Sequence, residues 1–296
     1  MIQKDLSVIT SEEKNNELVL QCWKNKWILN AASNFAYVRP TETLERLIDK
    51  YKDYTAVIVG SGGSLDDNYE KLKKLDRSKT LILCVNSSLK TLIANQIIPD
   101  YVVAVDASDH IYKDFDNINT YLLKLIANTS VDPRTLSTWE GERYLFNMDQ
   151  KGSDFLENTL HVMYSKYPQI QNAGCSVNSS VIIALMMGCR KIYLVGADFG
   201  YSDNKYRAKK YKIKEGLKEW EEVKIDHENE INKREVLFEK NGVRCLEEHT
   251  RYNISLVNLS KMTQFNDNWK LGNWEIVDCS KGIIDEFRKG DLGELL

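Results

Sequence analysis

Gly60-Ser61-Gly62-Gly63-Ser64 follows the apolar run Thr55-Ala56-Val57-Ile58-Val59. Glycines at the end of a buried strand let the backbone turn tightly and aim N–H groups at an anion. A helix starting there adds the positive end of its dipole. The spacing is not G-x-x-x-x-G-K-[ST], because no Lys follows in register, so a Walker-type ATPase is disfavoured. Nor is it G-x-G-x-x-G, because Leu65 and Asp66 stand where the third glycine belongs, so a dinucleotide fingerprint is unsupported. A phosphate or nucleotide site is the favoured reading over a tight turn that binds nothing.

Three further clusters carry chemistry. Asp106, Asp109 and His110 follow another apolar run. They suit Mg²⁺ binding, a ribose contact or acid–base work; the plainer reading is a helix cap by Asp109 and a solvated His110. Asn172 to Ser180 opens a helix with small and polar residues. There Gly174, Cys175, Ser176 and Asn178 would let a ligand approach the backbone or hydrogen-bond it, unless they merely cap and pack the helix. Cys175 has no histidine nearby in sequence, which argues against a nucleophile. Gly196-Ala197-Asp198-Phe199-Gly200-Tyr201 again joins an acid to a flexible backbone, with Asp198 and Tyr201 as substrate or base candidates. Of the basic residues that follow (Lys205, Arg207, Lys209, Lys210), most are expected on a solvated face, and Arg207 is the candidate phosphate contact.

These clusters need elements to hold them. Leu81-Ile82-Leu83-Cys84-Val85, Tyr101 to Val105 and Lys191 to Val195 read as further strands, ended by Asn86-Ser87-Ser88, by Asp106 to Asp109 and by Gly196 to Asp198. Continuous Val/Ile runs indicate strands covered on both faces, as in a parallel sheet. Helices are predicted to about Asn34, from about Asp67 to Leu75, and from about Val177 to Met187, with Thr41 as the cap of a helix carrying Leu44, Leu47 and Ile48. Leu122 to Ala127 is a strand or a helix end; its periodicity does not decide. The β-α-β-α order predicts an α/β, Rossmann-like, doubly wound and mostly parallel sheet. Ligands of such sheets sit beyond the carboxyl ends of the strands, where all four polar clusters fall.

Three regions are expected: an N-terminal helical segment over 1–40, a nucleotide-binding core over 41–203, and 204–296 as a lid or charged helical insertion with C-terminal helices and a late strand at Trp274 to Asp278. Trp23 and Trp27, four apart, share one helix face and are expected to pack on the main domain or a partner subunit, which leaves a homo-oligomer open.

The 296 residues are 43% hydrophobic and 28% charged with a net charge of −3, an ordinary globular balance with no bulk attraction to nucleic acid or anionic lipid. No apolar run of about 18 residues exists. The polar start is unlike a signal peptide and the six cysteines are scattered, so a reduced cytoplasmic protein without a metal framework is expected.

Val57-Ile58-Val59-Gly60-Ser61-Gly62-Gly63-Ser64-Leu65 resembles the strand and G-x-G-P-S-L turn in the central domain of motility accessory factors (Maf proteins), the family called MptE-like after an archaeal pterin diphosphokinase; Gly63 replaces the usual proline. Ser88 to Ile93, Ile98 to Asp106, and Gly174 to Asp203 are similar to the family's two later motifs. The resemblance runs from about Asn30 to Asp203 and extends to bacterial sialyltransferases with a G-N-G-P-S-L turn. It implies transfer of a nonulosonic acid from a CMP-sugar to a protein or glycan hydroxyl, with no tightly bound cofactor. Gly60 to Leu65 and Asn86 to Ser88 would then hold the nucleotide, and Gly174 to Asn178 the sugar or phosphate. Asp106, His110 or Asp198 would serve as base, and Tyr201 with Arg207 would hold the leaving phosphate. The alternative is Mg²⁺-dependent transfer of diphosphate from ATP to 6-hydroxymethyl-dihydropterin, with Asp106 and Asp198 on the metal. A third reading is a nucleotide- or sugar-binding scaffold without chemistry.

Overall fold

Five or six consecutive residues rich in Val, Ile and Leu are too short for a buried helix and suit a strand covered on both faces. The computed structural model describes residues 23–149, 159–160, 162–214, 217–224, 238–240, 242–261, 264–266, 269–270 and 272–296. It places the apolar runs as β1 (Thr55–Val59), β2 (Thr80–Val85) and β3 (Tyr101–Ala104). The ambiguous segment is β4 (Lys124–Asn128), and β5 (Glu142–Asp149) and β6 (Gln169–Gln171) follow without having been foreseen. The run at 191 is β7 (Lys191–Val195).

Helix α1 covers 23–34, and α2 (Tyr69–Lys74), α3 (Asn86–Ala94) and α4 (Pro133–Thr138) follow β1, β2 and β4. Helix α5 (Ser176–Met186) connects β6 to β7. The Leu44–Leu47 segment is a 3-10 turn capped by Thr43, whose Oγ1 accepts the Glu45 N–H, and not by Thr41.

Among the described residues, the charged stretch that follows the 3-10 turn Ser202–Asn204 is not helical. It forms an antiparallel hairpin of β8 (Lys205–Lys214) and β9 (Leu217–Lys224). Its Lys and Glu content masked the alternation of Tyr211 and Ile213, the period a strand needs. The short strands β10 (Phe238–Lys240) and β11 (Val243–Cys245) pair, and α6 (Glu247–Ser260) follows. Then come a small pair, β12 (Gln264–Asn266) with β13 (Trp269–Lys270), and the late strands β14 (Glu275–Asp278) and β15 (Arg288–Lys289). Met262 and the residues before Trp23 lie outside the described residues.

Among the described residues the large sheet has nine strands in the order β15-β14-β7-β1-β2-β3-β4-β5-β6, and every pairing in it is parallel. Alternate strand residues feed two cores. Ala56, Ile58, Leu83 and Leu194 face α5 and α6; Val57, Val59, Cys84 and Val195 face α2, α3 and α4. An α/β/α sandwich is the consequence. From β1 the chain winds outward to β6, then returns through α5, on the opposite face, to lay β7 on the other side of β1. The order therefore reverses between β1 and β7, and a doubly wound sheet opens a crevice at such a point.

Among the described residues no helix is long and apolar enough to cross a membrane. Cys84, Cys175, Cys189, Cys245 and Cys279 are free thiols.

Candidate functional site

β1 and β7 run parallel with Val59 opposite Val195, so the turns that leave them emerge side by side. The ladder continues into those turns. The Gly60 N–H donates to the Val195 carbonyl at 2.8 Å, and the Gly62 N–H to the Gly196 carbonyl at 2.8 Å. A Cβ on Gly60 would sit 2.3 Å from the Gly196 oxygen, and one on Gly62 would sit 2.7 Å from Asp198 Cγ. Gly196 has a φ of +62°, a left-handed conformation that side chains resist. The glycines are thus required for two backbones to touch, whatever else they do.

Asp198 completes the interlock. Its Oδ2 accepts the Ser64 N–H at 2.9 Å, and its two oxygens also take the hydroxyls of Ser64 and Ser202. Burial raises its pKa and these donors pull it back. Gly63 opens a 3-10 turn, Gly63–Asp67, with its φ outside the left-handed region; this is the first-turn position that a proline fits. Gly63, Ser64 and Leu65 are buried there.

Beside the interlock lies a cavity of about 450 Å³ at the reversal of strand order. Ser61 and Gly62 form one wall, and Ser87 of α3 adjoins them, its Oγ donating to Ser61 Oγ at 3.0 Å. The start of α5 supplies its cap residue Cys175 and, from the first turn, Ser176 and Val177. Burial pushes the Cys175 thiol up to about 12, so it stays protonated at neutral pH. The β7 turn contributes Gly196 to Tyr201. Arg207 enters from the hairpin at a break in its register, where an extra residue re-aims the strand. The hairpin root is tied to the glycine turn: the Ala208 N–H donates to the Ser61 carbonyl at 2.9 Å, and Asp66 accepts both Lys205 Nζ and the Lys209 N–H.

The fourth wall was missed in the sequence. Leu246, Glu248, His249 and Tyr252 of α6 and its leading residue line the cavity. The Leu246 N–H donates to His249 Nδ1 at 3.1 Å, and Tyr252 Oη lies 3.5 Å from a Glu248 oxygen. Burial pushes the His249 imidazole down to about 4 and raises the Tyr252 phenol, so both are neutral at pH 7. No spacing signal marks these residues; the only one available was their place in the first turns of an amphipathic helix.

The remaining candidates stand elsewhere. Asp106 is exposed and accepts the Ser108 N–H in a local turn, and His110 is exposed; neither lines the cavity. Asn86 donates to Asp114 at 2.6 Å, and Ser88 is buried with its hydroxyl on the Val59 and Val85 carbonyls. Gly174 sits just outside the lining with a φ of +82°. Asn178 is fully buried, and its Nδ2 donates to the Ala173 and Tyr252 carbonyls at 2.9 Å each. It fastens α6 to α5 and so sets the position of the wall opposite the glycine turn.

Residues 29–204 match the model of the family described as 6-hydroxymethylpterin diphosphokinase MptE-like. The fold is similar to the solved structure of a Maf glycosyltransferase from Magnetospirillum magneticum AMB-1, with a TM-score of 0.62 and 19% identity over 92% of this chain. This chain spans only 39% of that protein. No curated protein sequence matches the chain.

Proposed function

The chain belongs to the 6-hydroxymethylpterin diphosphokinase MptE-like family, and we propose that it works as a transferase taking a nucleotide-activated donor into the cavity between β1 and β7. The donor we favour is a CMP-activated nonulosonic acid, transferred to a hydroxyl of a protein or glycan. One observation carries this reading. The cavity at the reversal of strand order combines the Ser61, Ser87 and Ser176 hydroxyls, the first turn of α5 and Arg207 with one carboxylate, Glu248, that is not taken up by the turn interlock. Hydroxyls, a helix N-terminus and a guanidinium suit a phosphate. A carboxylate beside them suits a base.

In this mechanism the acceptor oxygen attacks the anomeric carbon as Glu248 takes its proton. The bond from that carbon to the phosphate oxygen breaks, and CMP leaves with the electron pair, its charge met by Arg207 and the α5 N-terminus. Asp198 holds the two strand turns together, since Ser64 and Ser202 already occupy its oxygens. The diphosphokinase reading fits less well. Asp106 stands outside the cavity, so the pair of carboxylates proposed for Mg²⁺ is split.

A thermal-shift panel with CMP, CDP, ATP and AMP, each with and without Mg²⁺, tests the proposal. Stabilisation by CMP or CDP without metal is expected. A response to ATP alone, and only with Mg²⁺, would move the assignment to the diphosphokinase. Glu248→Gln should keep CMP binding while lowering kcat by about 100-fold or more, the loss typical of a missing general base.

A further inference from the structure

Two residues of the β7 turn stand in the left-handed region, and one of them is not glycine: Gly196 has a φ of +62° and Phe199 a φ of +45°. For a bulky side chain that conformation is costly, and it persists only where the neighbours over-determine it. Phe199 nonetheless forms part of the cavity wall, its ring 6.0 Å from that of Tyr252 on α6. From the side of β1 the turn is held through the Asp198 carboxylate and its two serines. The other side is held by the late strand.

β14 lies beside β7 with Asp278 opposite Leu194, so the turn that leaves it meets the β7 turn on the side away from β1. There Ser280 Oγ accepts the Ala197 N–H at 2.9 Å, and the Ile283 N–H donates to the Asp198 carbonyl at 2.9 Å. Gly282 is pressed against the same peptide: a Cβ on it would sit 1.6 Å from the Asp198 carbonyl oxygen. The backbone just before Phe199 is thus gripped at two points. We propose that Ser280 is a positioning residue for the cavity: with Gly282 and Ile283 it holds Ala197 and Asp198 so that Phe199 keeps its left-handed conformation and the β7 turn presents the wall that the nucleotide meets. That the ligand is a nucleotide rests on the function proposed above; the grip rests on the fold alone.

Ser280 is itself held in place. Its N–H donates to Asp278 Oδ1 at 2.8 Å, and Lys289 of β15 donates to the other carboxylate oxygen at 2.5 Å. An aspartate that takes the N–H two residues on builds a local turn without a ladder, and here that turn aims the Ser280 hydroxyl at β7. Asp278 is fully buried. Burial raises its pKa, while Lys289 and the N–H and hydroxyl of Ser280 pull it back. Asp278, Ser280 and Gly282 do not line the cavity, so they act on a ligand through Ala197 and Asp198, which do. All three lie beyond residues 29–204, so the support comes from outside the span that matches the family model.

Amide hydrogen exchange on the full chain reads the grip directly. The Ala197 amide lies beyond the end of β7, yet it should be protected as well as the amides within that strand. Fast exchange of Ala197 in the wild type overturns the proposal. Ser280→Ala removes the acceptor and should speed exchange at Ala197 about 10-fold, the loss of one hydrogen bond, and weaken the CMP Kd by about 5- to 10-fold. Asn30→Leu, which removes two hydrogen bonds at the β3 rim, is the control for a purely structural loss and should change neither readout. Unchanged exchange at Ala197 in Ser280→Ala, faster exchange with an unchanged Kd, or equal weakening of CMP in Asn30→Leu overturns the positioning role. If the wild-type chain binds no CMP, the nucleotide reading fails, and the role towards a nucleotide fails with it, while exchange at Ala197 still decides the grip.

Discussion

The turn after β1 and the turn after β3 look alike in sequence, since both end an apolar strand in small and polar residues on the same rim of the sheet. Their surroundings differ. Beyond β1 the order of strands reverses, and Ser61 and Gly62 face an open cavity. Beyond β3 no such cavity opens among the described residues, and a helix is fastened to the loops instead. Helix α1 lies there, with Asn30 Nδ2 donating to the Ala107 and Ser130 carbonyls at 3.0 and 3.1 Å, and Asn34 Nδ2 to the Thr129 and Val131 carbonyls at 2.9 and 2.7 Å. Lys26 pairs with Asp109, and Arg134 stacks 3.7 Å over the Tyr112 ring. A polar strand end is thus a necessity of every parallel strand. What makes one of them a site is the gap left where neighbouring strands diverge to opposite sides.

Breaking the interlock should have the largest effect. Gly60→Val puts a side chain into the Gly196 backbone, which cannot move aside, and should cost about 3 kcal/mol in urea unfolding. A variant as stable as the parent would mean the two turns are not packed as described.

Next comes acid stability, which separates the cavity histidine from the rim histidine. His249 is pushed from 6.5 to about 4 in the fold, so the unfolded chain binds the extra proton first. The stability this gives is fully present above pH 6.5 and is lost as pH falls towards 4, up to about 3 kcal/mol. His249→Gln should flatten that part of the pH–stability curve; an unchanged slope would contradict the burial of the ring.

Asn30→Leu removes two buried hydrogen bonds at the β3 rim and should lower stability by about 1–2 kcal/mol while leaving CMP affinity alone. Loss of CMP binding in this variant, measured by calorimetry, would join the two rims into one site. The smallest effect belongs to His110→Ala, which should shift stability by no more than about 0.5 kcal/mol and leave CMP binding intact.

Much of this was legible in the residues. Val57-Ile58-Val59 and Leu81 to Val85 are buried strands because no polar residue interrupts them, and such runs can be covered only on both faces of a parallel sheet. The glycines after β1 announced a close approach, and the motif from Val57 to Leu65 announced the family. What they approach was not legible: Gly60 and Gly62 press on Gly196 and Asp198, more than 130 positions later, and only pairing β1 with β7 brings them together. The hairpin was hidden because its Lys and Glu residues obscured the alternation of a strand. Glu248, His249 and Tyr252 carry no motif, and Asn178 brings their helix to the glycine turn from inside the core. Sequence periodicity reports which face of an element is buried; which distant elements share a cavity depends on strand order, and strand order is set by packing across the whole sheet.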